Sequence, residues 1–353
     1  MQRNLDQWIK TKKNTDNIKN VFYLYWDNKI PTTKWYQKDN FKEPVNFSVN
    51  VNWRLPAIQN HIKNVSRGSN PINLKIELCG FIENDNFKIG EEKKYSNVSY
   101  LKSHLQKCIR KGREDLALAT AKHLMRLDMN AFLRRLLIII IEDVVLHESF
   151  PIITWLMLAK SADDNFKFSR NICEWLLGVI YMLSKCPIHF GHPCNRENAE
   201  LDKDIIPLWK LLLKSKKKEN MVYSLLLRLS YGGLKGDMKM LIHLSHDLVF
   251  ERPPLNIINN NVIKKIKWEV ENLPEDMWDL DALDFHVIPR LPYWICRKYP
   301  FLNEIEVKEL MWKYSSSLNF RVKRNDFGTI GYRKWHSILI TVRRLQRRRL
   351  LNS

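Results

Sequence analysis

Long apolar runs, regularly spaced cysteines and nucleotide-binding motifs are all missing from this chain of 353 residues. The longest uninterrupted apolar run, Leu136 to Ile141, is far shorter than the roughly 20 residues that a membrane-spanning helix needs. The first residues are rich in Gln and Lys and contain no hydrophobic signal segment. Because the six cysteines are irregularly spaced, they predict no disulfide framework, and we expect a reducing compartment, the cytoplasm or the nucleus.

Signatures of nucleotide hydrolysis are also missing. The phosphate-loop pattern G-x-x-x-x-G-K-[ST] occurs nowhere in the chain. One glycine-rich stretch, Tyr231 to Asp237, could cradle a phosphate, but it lacks the Lys-Ser/Thr pair of a nucleotide site. A tight turn between two helices explains it better. No catalytic constellation stands out, so the sequence favours a non-catalytic protein without a cofactor.

Positive charge is what the sequence has in excess. It contains 58 Lys and Arg against 38 Asp and Glu, a formal net charge of +20. A charge of this size predicts a polyanionic partner, which could be DNA, RNA or an acidic membrane surface. Because 45% of the residues are hydrophobic, the chain also has enough apolar material for real cores.

Nearly half of this charge lies in the last 35 residues, 319–353, which hold ten Lys or Arg and one Asp. Leu339, Val342 and Leu345 give the segment an apolar stripe that arginines flank. The planar guanidinium group donates two hydrogen bonds at once to a phosphate, so we predict nucleic-acid contacts here. A solvated charged helix and a nuclear import signal would have the same pattern. The predicted contact residues are Arg321, Lys323, Arg324, Arg333, Lys334, Arg343, Arg344, Arg347, Arg348 and Arg349.

At the N-terminus, Gln2, Leu5, Trp8 and Ile9 fit the spacing Q-x-x-[aliphatic]-x-x-[aromatic]-[aromatic], with isoleucine at the last position. This spacing resembles the peptide by which replication proteins bind sliding clamps of the PCNA type. One helical turn places Leu5, Trp8 and Ile9 on one side, as plugs for an apolar pocket, and Gln2 would hydrogen-bond at its edge. The alternative is an amphipathic first turn that packs on the protein's own domain.

The stretch from Ser99 to Leu146 predicts three consecutive amphipathic helices. Gly112 separates the first two, and Glu114 and Asp115 lie where a helix N-terminus favours negative charge. Asn130 is the predicted N-cap of the third helix. Each helix has a single apolar stripe, so the three must pack on one another. The stripes consist of Leu101, Leu105, Cys108, Ile109, Leu116, Thr120, Leu124, Leu127, Phe132, Leu133, Leu136, Leu137, Ile140 and Val144.

Several short pieces of this region carry a resemblance. The pieces are Gln106 to Gly112, Ala117 to Ala121, Arg134 to Leu136, Glu142 to Val144 and Tyr181 to Pro187. They resemble the C-terminal region of the MgsA/RarA ATPases, relatives of the clamp loaders that act at stalled replication forks. The resemblance covers about residues 99–187, and it implies a helical oligomerisation module without the ATPase core. Cys108, Lys111 and Val145 stand where the family has Ser, Gly and Gly.

Residues 20–97 have a different pattern. Polar and apolar residues alternate over 45–53 and over 72–78, which predicts half-buried strands. The aromatic residues of this part lie among lysines, where they could stack on exposed bases, although core packing is the preferred interpretation. These aromatics are Phe22, Tyr23, Tyr25, Trp26, Trp35 and Tyr36.

Two clusters of residues have side chains that could bind a metal ion. Cys186, His189, His192 and Cys194 could bind zinc, but a proline-punctuated connection between helices explains the stretch as well. The acidic cluster consists of Asp279, Asp281, Asp284 and His286. It could bind Mg²⁺ for nuclease chemistry, but acids that open a helix account for it equally. We therefore predict no metal site.

Together these patterns predict a mainly α-helical protein, a helical bundle resembling a clamp-loader or MgsA C-terminal domain, with a small β-containing module. The expected segments are 1–15, a clamp-binding peptide; 16–97, the β-module; 98–250, the bundle; and 251–353, a helical domain with a basic tail. The expected function is a DNA replication or repair accessory factor that binds DNA and a clamp and forms homo-oligomers, without contacting membranes. A virus or mobile element with its own replication apparatus would be a natural source. The alternatives are an RNA-binding or transcription-associated adaptor and a metal-dependent nucleic-acid enzyme.

Overall fold

The structure is a computed structural model that describes residues 19–55, 72–83, 85, 87–144, 146–186, 208–215, 218–250, 257, 259, 262–269, 278, 288–311, 313–314 and 329–351. These residues form eleven α-helices and one four-stranded sheet near the N-terminus. The prediction of a mainly α-helical protein with a small β-containing module is confirmed. Among the described helices, none combines the length and the apolar character needed to cross a bilayer.

The sheet consists of β1 (Val21–Asp27), β2 (Ile30–Tyr36), β3 (Phe47–Leu55) and β4 (Ile72–Gly80). Its strand order is β2-β1-β4-β3, with a parallel pair in the middle, where Phe22 lies opposite Leu78. The outer pairs, β1 with β2 and β3 with β4, are antiparallel. The turn between β1 and β2 uses Asn28 and Lys29, both with positive φ, which is the conformation that a two-residue hairpin requires. The strands predicted from alternation are thus present.

The helices follow the sheet in the chain. They are α1 (Val98–Arg110), α2 (Glu114–Leu127), α3 (Met129–Asp143), α4 (Ser149–Ala162), α5 (Arg170–Lys185), α6 (Leu208–Lys214), α7 (Glu219–Ser230), α8 (Lys235–Phe250), α9 (Leu291–Lys298), α10 (Glu304–Met311) and α11 (Ile330–Leu351). The three helices predicted for Ser99 to Leu146 are therefore present as α1 to α3. Gly112 has a φ of 68° and ends α1, and the glycine-rich stretch after Tyr231 is a turn between α7 and α8.

The predicted cap of α3 is wrong by two residues. Asn130 lies inside the first turn of the helix, and Asp128 occupies the capping position instead. The Asp128 carboxylate accepts a hydrogen bond of 2.8 Å from the Ala131 N–H, and its carbonyl accepts another from Phe132. Asp and Asn are nearly equal as N-caps, so the choice depends on where the chain turns, which periodicity does not fix.

A threonine in the apolar stripe of α2 has a polar partner on α1. The Thr120 hydroxyl donates to the Leu116 carbonyl at 2.6 Å, so it accepts from His104 Nδ1, which lies 2.8 Å away. Both side chains are fully buried. Burial lowers the pKa of His104 to about 3, so the imidazole is neutral at pH 7. The pair fixes the register of α1 against α2 without a buried charge.

The chain forms two compact units, each assembled from three stretches. The first takes its described residues from Met1–Asn86, Ile140–Ser169 and His192–Val262, and the second from Phe87–Ile139, Arg170–Gly191 and Ile263–Ser353. The predicted segments, in contrast, are continuous in sequence. Their boundaries at 15, 97 and 250 stay a prediction.

In the first unit, α4 and α7 cover one face of the sheet. The indole N–H of Trp155 on α4 donates to the Phe22 carbonyl of β1 at 2.9 Å. The ring of Tyr223 on α7 meets the ring of Trp35 on β2, with centroids 4.8 Å apart. Asn220 adds hydrogen bonds to Thr33. Large buried aromatic rings therefore join the strands to helices that lie far away in sequence.

In the second unit, a segment without helix or strand structure, 263–269, runs along α5. The Ile266 N–H donates to the Glu174 carbonyl at 3.1 Å, and the Trp268 N–H donates to the Glu174 carboxylate. Arg170 also pairs with Glu269 through both carboxylate oxygens. The approach is close because Gly178 has no side chain, and its backbone faces the Lys264 carbonyl.

Candidate nucleic-acid interface

Within the basic C-terminal segment, Ile330–Leu351 form α11, which packs on α9 and α10 in the second unit. Trp335, Ile338 and Val342 are buried, with Leu339 and Leu345 packed at the edge of the same cluster. The predicted apolar stripe is therefore present, but its buried part begins at Trp335, four residues before the predicted Leu339. The buried partners of α11 in this cluster are Tyr100, Ile288, Leu291, Ile295, Leu302, Val307, Leu310, Met311 and Tyr314.

Polar contacts fix the rotation of α11 about its axis. Lys298 donates to the Thr341 hydroxyl at 2.9 Å, and the Tyr299 hydroxyl lies 2.9 Å from that same oxygen. Tyr299 also donates to the Ser337 carbonyl. At the N-terminus, the Tyr332 N–H donates to the Thr329 hydroxyl and starts the helix. With one face buried and its flank bonded, α11 presents a defined opposite face to solvent.

That solvent face is rich in arginine. The exposed arginines of α11 are Arg333, Arg343, Arg344, Arg347 and Arg348, which we call the arginine face. Its first and last members are fifteen residues apart, or about 22 Å at the rise of an α-helix. The helix contains seven Lys or Arg and no Asp or Glu, so no acidic residue within it offsets this charge.

Lys334 differs from these arginines. It lies at the border of the buried face and pairs with the Glu306 carboxylate on α10. Its charge is thus partly neutralised within the protein, and the pair helps to hold α10 against α11. Its predicted role in phosphate binding stays a prediction, as it does for the arginine face.

Other predicted sites lie outside the described residues. These are the clamp-binding residues Gln2, Leu5, Trp8 and Ile9, the basic residues Arg321, Lys323 and Arg324, the side chain of Arg349, and the acidic cluster Asp279, Asp281, Asp284 and His286. Of the potential zinc ligands, Cys186 is buried at the end of α5, whereas His189, His192 and Cys194 also lie outside. Among the described residues, no group of three or more His, Cys, Asp or Glu is arranged to hold a metal ion.

The aromatic residues of the sheet are used mostly in packing. Phe22 and Trp35 are buried and stack on each other, with ring centroids 4.3 Å apart. On the other face, Tyr23 is buried against Phe41, and its hydroxyl donates to the Pro44 carbonyl. The hydroxyl of Tyr36 donates to the Glu43 carboxylate. These contacts favour core packing over base stacking.

The sequence reasoning missed one residue of the site, Ile340. Its side chain is 69% exposed in the middle of the arginine face. A signal was available, because its neighbours at helical spacing, His336, Ser337, Arg343 and Arg344, are all polar. An isoleucine with polar neighbours on every side does not belong to the buried stripe.

The fold and the site thus define a class, a mainly α-helical protein with a small mixed sheet and a helix that presents arginines to solvent. Comparison with known proteins assigns the chain to no family. No family model matches the chain, and no curated protein or solved structure matches it either.

Proposed function

We propose that this protein is a DNA-binding accessory factor of replication or repair, without catalytic activity of its own. The arginine face of α11 is the single observation that carries the proposal. Five exposed arginines lie along about 22 Å of one helix, and the interior of the unit holds that helix in place. Duplex DNA carries one charge per roughly 1.7 Å of axis, so a length of about 22 Å holds about thirteen phosphates on its two strands.

Electrostatics favours a polyanion on this face over an isolated charged helix. Residues three or four apart on a helix lie roughly 5–6 Å from each other, so Arg343, Arg344, Arg347 and Arg348 repel one another. A phosphate between two guanidinium groups replaces this repulsion with attraction, and it releases counterions from the nucleic acid. The rest of the chain adds to the effect, because its net charge is also positive.

Replacement of Arg344, Arg347 and Arg348 by Ala should weaken binding to duplex DNA by about 100-fold at 0.15 M salt. The slope of log K against log salt should become shallower by up to about 2.7, since each lost phosphate contact accounts for roughly 0.9. Fluorescence anisotropy of a labelled duplex, measured over a range of salt concentrations, gives both quantities.

The matched control removes three charges from elsewhere, by Lys42→Ala, Lys75→Ala and Lys93→Ala, all at exposed positions. It should lower the affinity slightly and leave the slope nearly unchanged. Equal effects of the two triple variants would show that only net charge matters and would refute the assignment to α11. A stronger preference for single-stranded RNA in competition would favour the RNA-binding adaptor instead.

The accessory role in replication rests on the N-terminal spacing of Gln2, Leu5, Trp8 and Ile9. A peptide of residues 1–13 should bind a PCNA-type clamp from the same organism or its host. Leu5→Ala or Trp8→Ala should each cost about 2 kcal/mol, roughly thirtyfold in affinity, because large apolar anchors dominate such interfaces. Isothermal titration calorimetry of the peptide with the clamp measures this.

In that experiment Arg3→Ala is the control, since Arg3 lies between the anchor positions and should matter little. If the peptide does not bind and Trp8→Ala lowers the melting temperature of the whole protein, the N-terminus packs on its own fold. Self-association through the MgsA/RarA-like helices, α1 to α3 and α5, rests on the resemblance alone and stays a prediction.

A further inference from the structure

An exposed isoleucine lies at the centre of the arginine face. Viewed down α11, Arg333, Arg344 and Arg347 all lie within about 40° of Ile340, because seven residues make almost two helical turns. Residues at helical spacing surround it on the remaining sides, with His336 and Ser337 before it and Arg343 after it. At 69% exposure, Ile340 remains in contact with water in the free protein. Any surface that the arginines bind must also meet this side chain.

We propose that α11 binds in the major groove of duplex DNA, where Ile340 packs against the base edges and contacts thymine methyl groups. The inference rests on the proposed function and specifies its ligand as double-stranded DNA. In this arrangement Arg343 and Arg348, which lie on opposite sides of Ile340 around the helix, contact the phosphates on the two walls of the groove, and the isoleucine reaches the floor. Thymine is the only base that offers a methyl group there.

The dimensions of the helix agree with this placement. An α-helix with its side chains is about 10–12 Å across, and the major groove is about 12 Å wide. The short side chain of Ser337 on the same face leaves room for a close approach of the helix. Arg343 and Arg348 lie about 60° and 80° to either side of Ile340 around the helix, toward the phosphates of the two walls. Arg333 and Arg347 lie about 10 Å from Ile340 along the axis, toward the ends of the groove contact.

The packing of α11 argues against a lipid surface as the partner. An amphipathic helix binds a membrane through its apolar face. Here that face, with Trp335, Ile338 and Val342, is buried against α9 and α10. The exposed apolar side chains that the structure describes on α11 are separate from each other, Ile330 at the first residue of the helix and Ile340 amid cations, which is too little apolar area for insertion. A nucleic acid needs no more than one apolar contact among many phosphate contacts.

The test compares two duplexes of identical A·T-rich sequence, one with thymine and one with deoxyuridine, which lacks only the methyl group. The full-length protein should bind the thymine duplex more tightly, by about fourfold for each methyl group that Ile340 covers. Ile340→Ala should lose a similar factor on the thymine duplex and should no longer distinguish the two. Alanine is a good helix former, so the variant keeps α11 intact.

Ile305→Ala provides the matched control. Ile305 is also 69% exposed and lies on α10 of the same unit, so it is not a member of the arginine face. This variant should retain both the affinity and the preference for thymine. Equal binding of the two duplexes by the unaltered protein, or an unchanged preference in Ile340→Ala, would overturn the groove contact.

Failure of this inference can be separated from failure of the proposed function. If the arginine triple variant loses affinity but deoxyuridine has no effect, DNA binding stands and the groove contact falls. Tighter binding to single strands than to the duplex would likewise refute the groove contact. If the unaltered protein binds no nucleic acid, both proposals are wrong.

Discussion

Trp155→Ala is expected to lower the free energy of unfolding of the first unit by about 3–5 kcal/mol. Trp155 is fully buried on α4, and its ring contacts Phe47 of β3 with centroids 5.6 Å apart. It also contacts Phe166 and lies over Gly80 of β4, where a Cβ atom would come within 3.0 Å of the indole. The substitution leaves a cavity between sheet and helix, and it leaves the Phe22 carbonyl without its indole donor.

Two further variants separate the effect of the lost hydrogen bond from that of the lost ring volume and provide a control. Trp155→Phe removes the N–H but keeps most of the ring volume, so it should cost roughly 0.5–1.5 kcal/mol, the typical net contribution of one hydrogen bond. Phe301→Ala removes an aromatic ring that is 61% exposed and should cost little. Urea unfolding followed by far-UV circular dichroism measures all three. A midpoint for Trp155→Ala equal to that of the unaltered protein would contradict the described packing of α4 on the sheet.

Gly178→Ala should destabilise the second unit by about 3 kcal/mol or more, although it adds only one methyl group. A Cβ atom at this position would lie 2.3 Å from the Lys264 carbonyl oxygen and 3.0 Å from Ile263. The first neighbour is backbone, which cannot rotate away. The hydrogen bonds of Ile266 and Trp268 to Glu174 hold that backbone against α5, so relief of the clash requires the segment to detach.

The chain offers a matched control in Gly236→Ala. Gly236 lies in the first turn of α8, and no other group lies within 4 Å of the position that a Cβ atom would take. Because alanine favours the helix by roughly 1 kcal/mol over glycine, this variant should be as stable as the unaltered protein or more so. Thermal unfolding of both variants provides the comparison. If Gly178→Ala and Gly236→Ala have the same melting temperature, the segment 263–269 does not lie against α5.

Periodicity predicted the helices well because their stripes are unambiguous. Leu101, Leu105 and Ile109 recur at helical spacing and are all fully buried, and Gly112 ends the helix as its backbone freedom suggested. The cap of α3 was misplaced because Asp128 and Asn130 are chemically similar, and only the geometry of the turn decides between them.

The pairing of the strands could not be predicted in the same way. The β1–β4 pair is parallel and joins Phe22 to Leu78 across more than fifty residues, which no local pattern encodes. Likewise, the sequence did not show which helices cover the sheet, because the periodic pattern identifies Trp155 and Tyr223 only as apolar residues of their own helices. Long-range contacts of this kind depend on the whole chain.

For the candidate site, composition located the helix but not its exposed face. The density of arginine after residue 330 predicted a basic surface, and the structure places Arg333, Arg343 and Arg344 in solvent. Lys334 was grouped with them, since its partner Glu306 lies 28 residues earlier in the chain. The polar neighbours of Ile340 at helical spacing indicate an exposed position, and the packing of Ile338 and Val342 shows that the buried face of α11 excludes it.

The dependence of the sheet on α4 and α7 has a consequence for synthesis of the protein. The strands leave the ribosome once residue 80 has emerged, but Tyr223 is translated more than 140 residues later. At 5–20 residues per second, this delay lasts roughly 7–30 s. During that time the face of the sheet with Phe22, Trp35 and Trp53 lacks α7, and until residue 162 has emerged it lacks α4 as well. A nascent chain of this protein is therefore a natural client for chaperones that bind exposed aromatic strands.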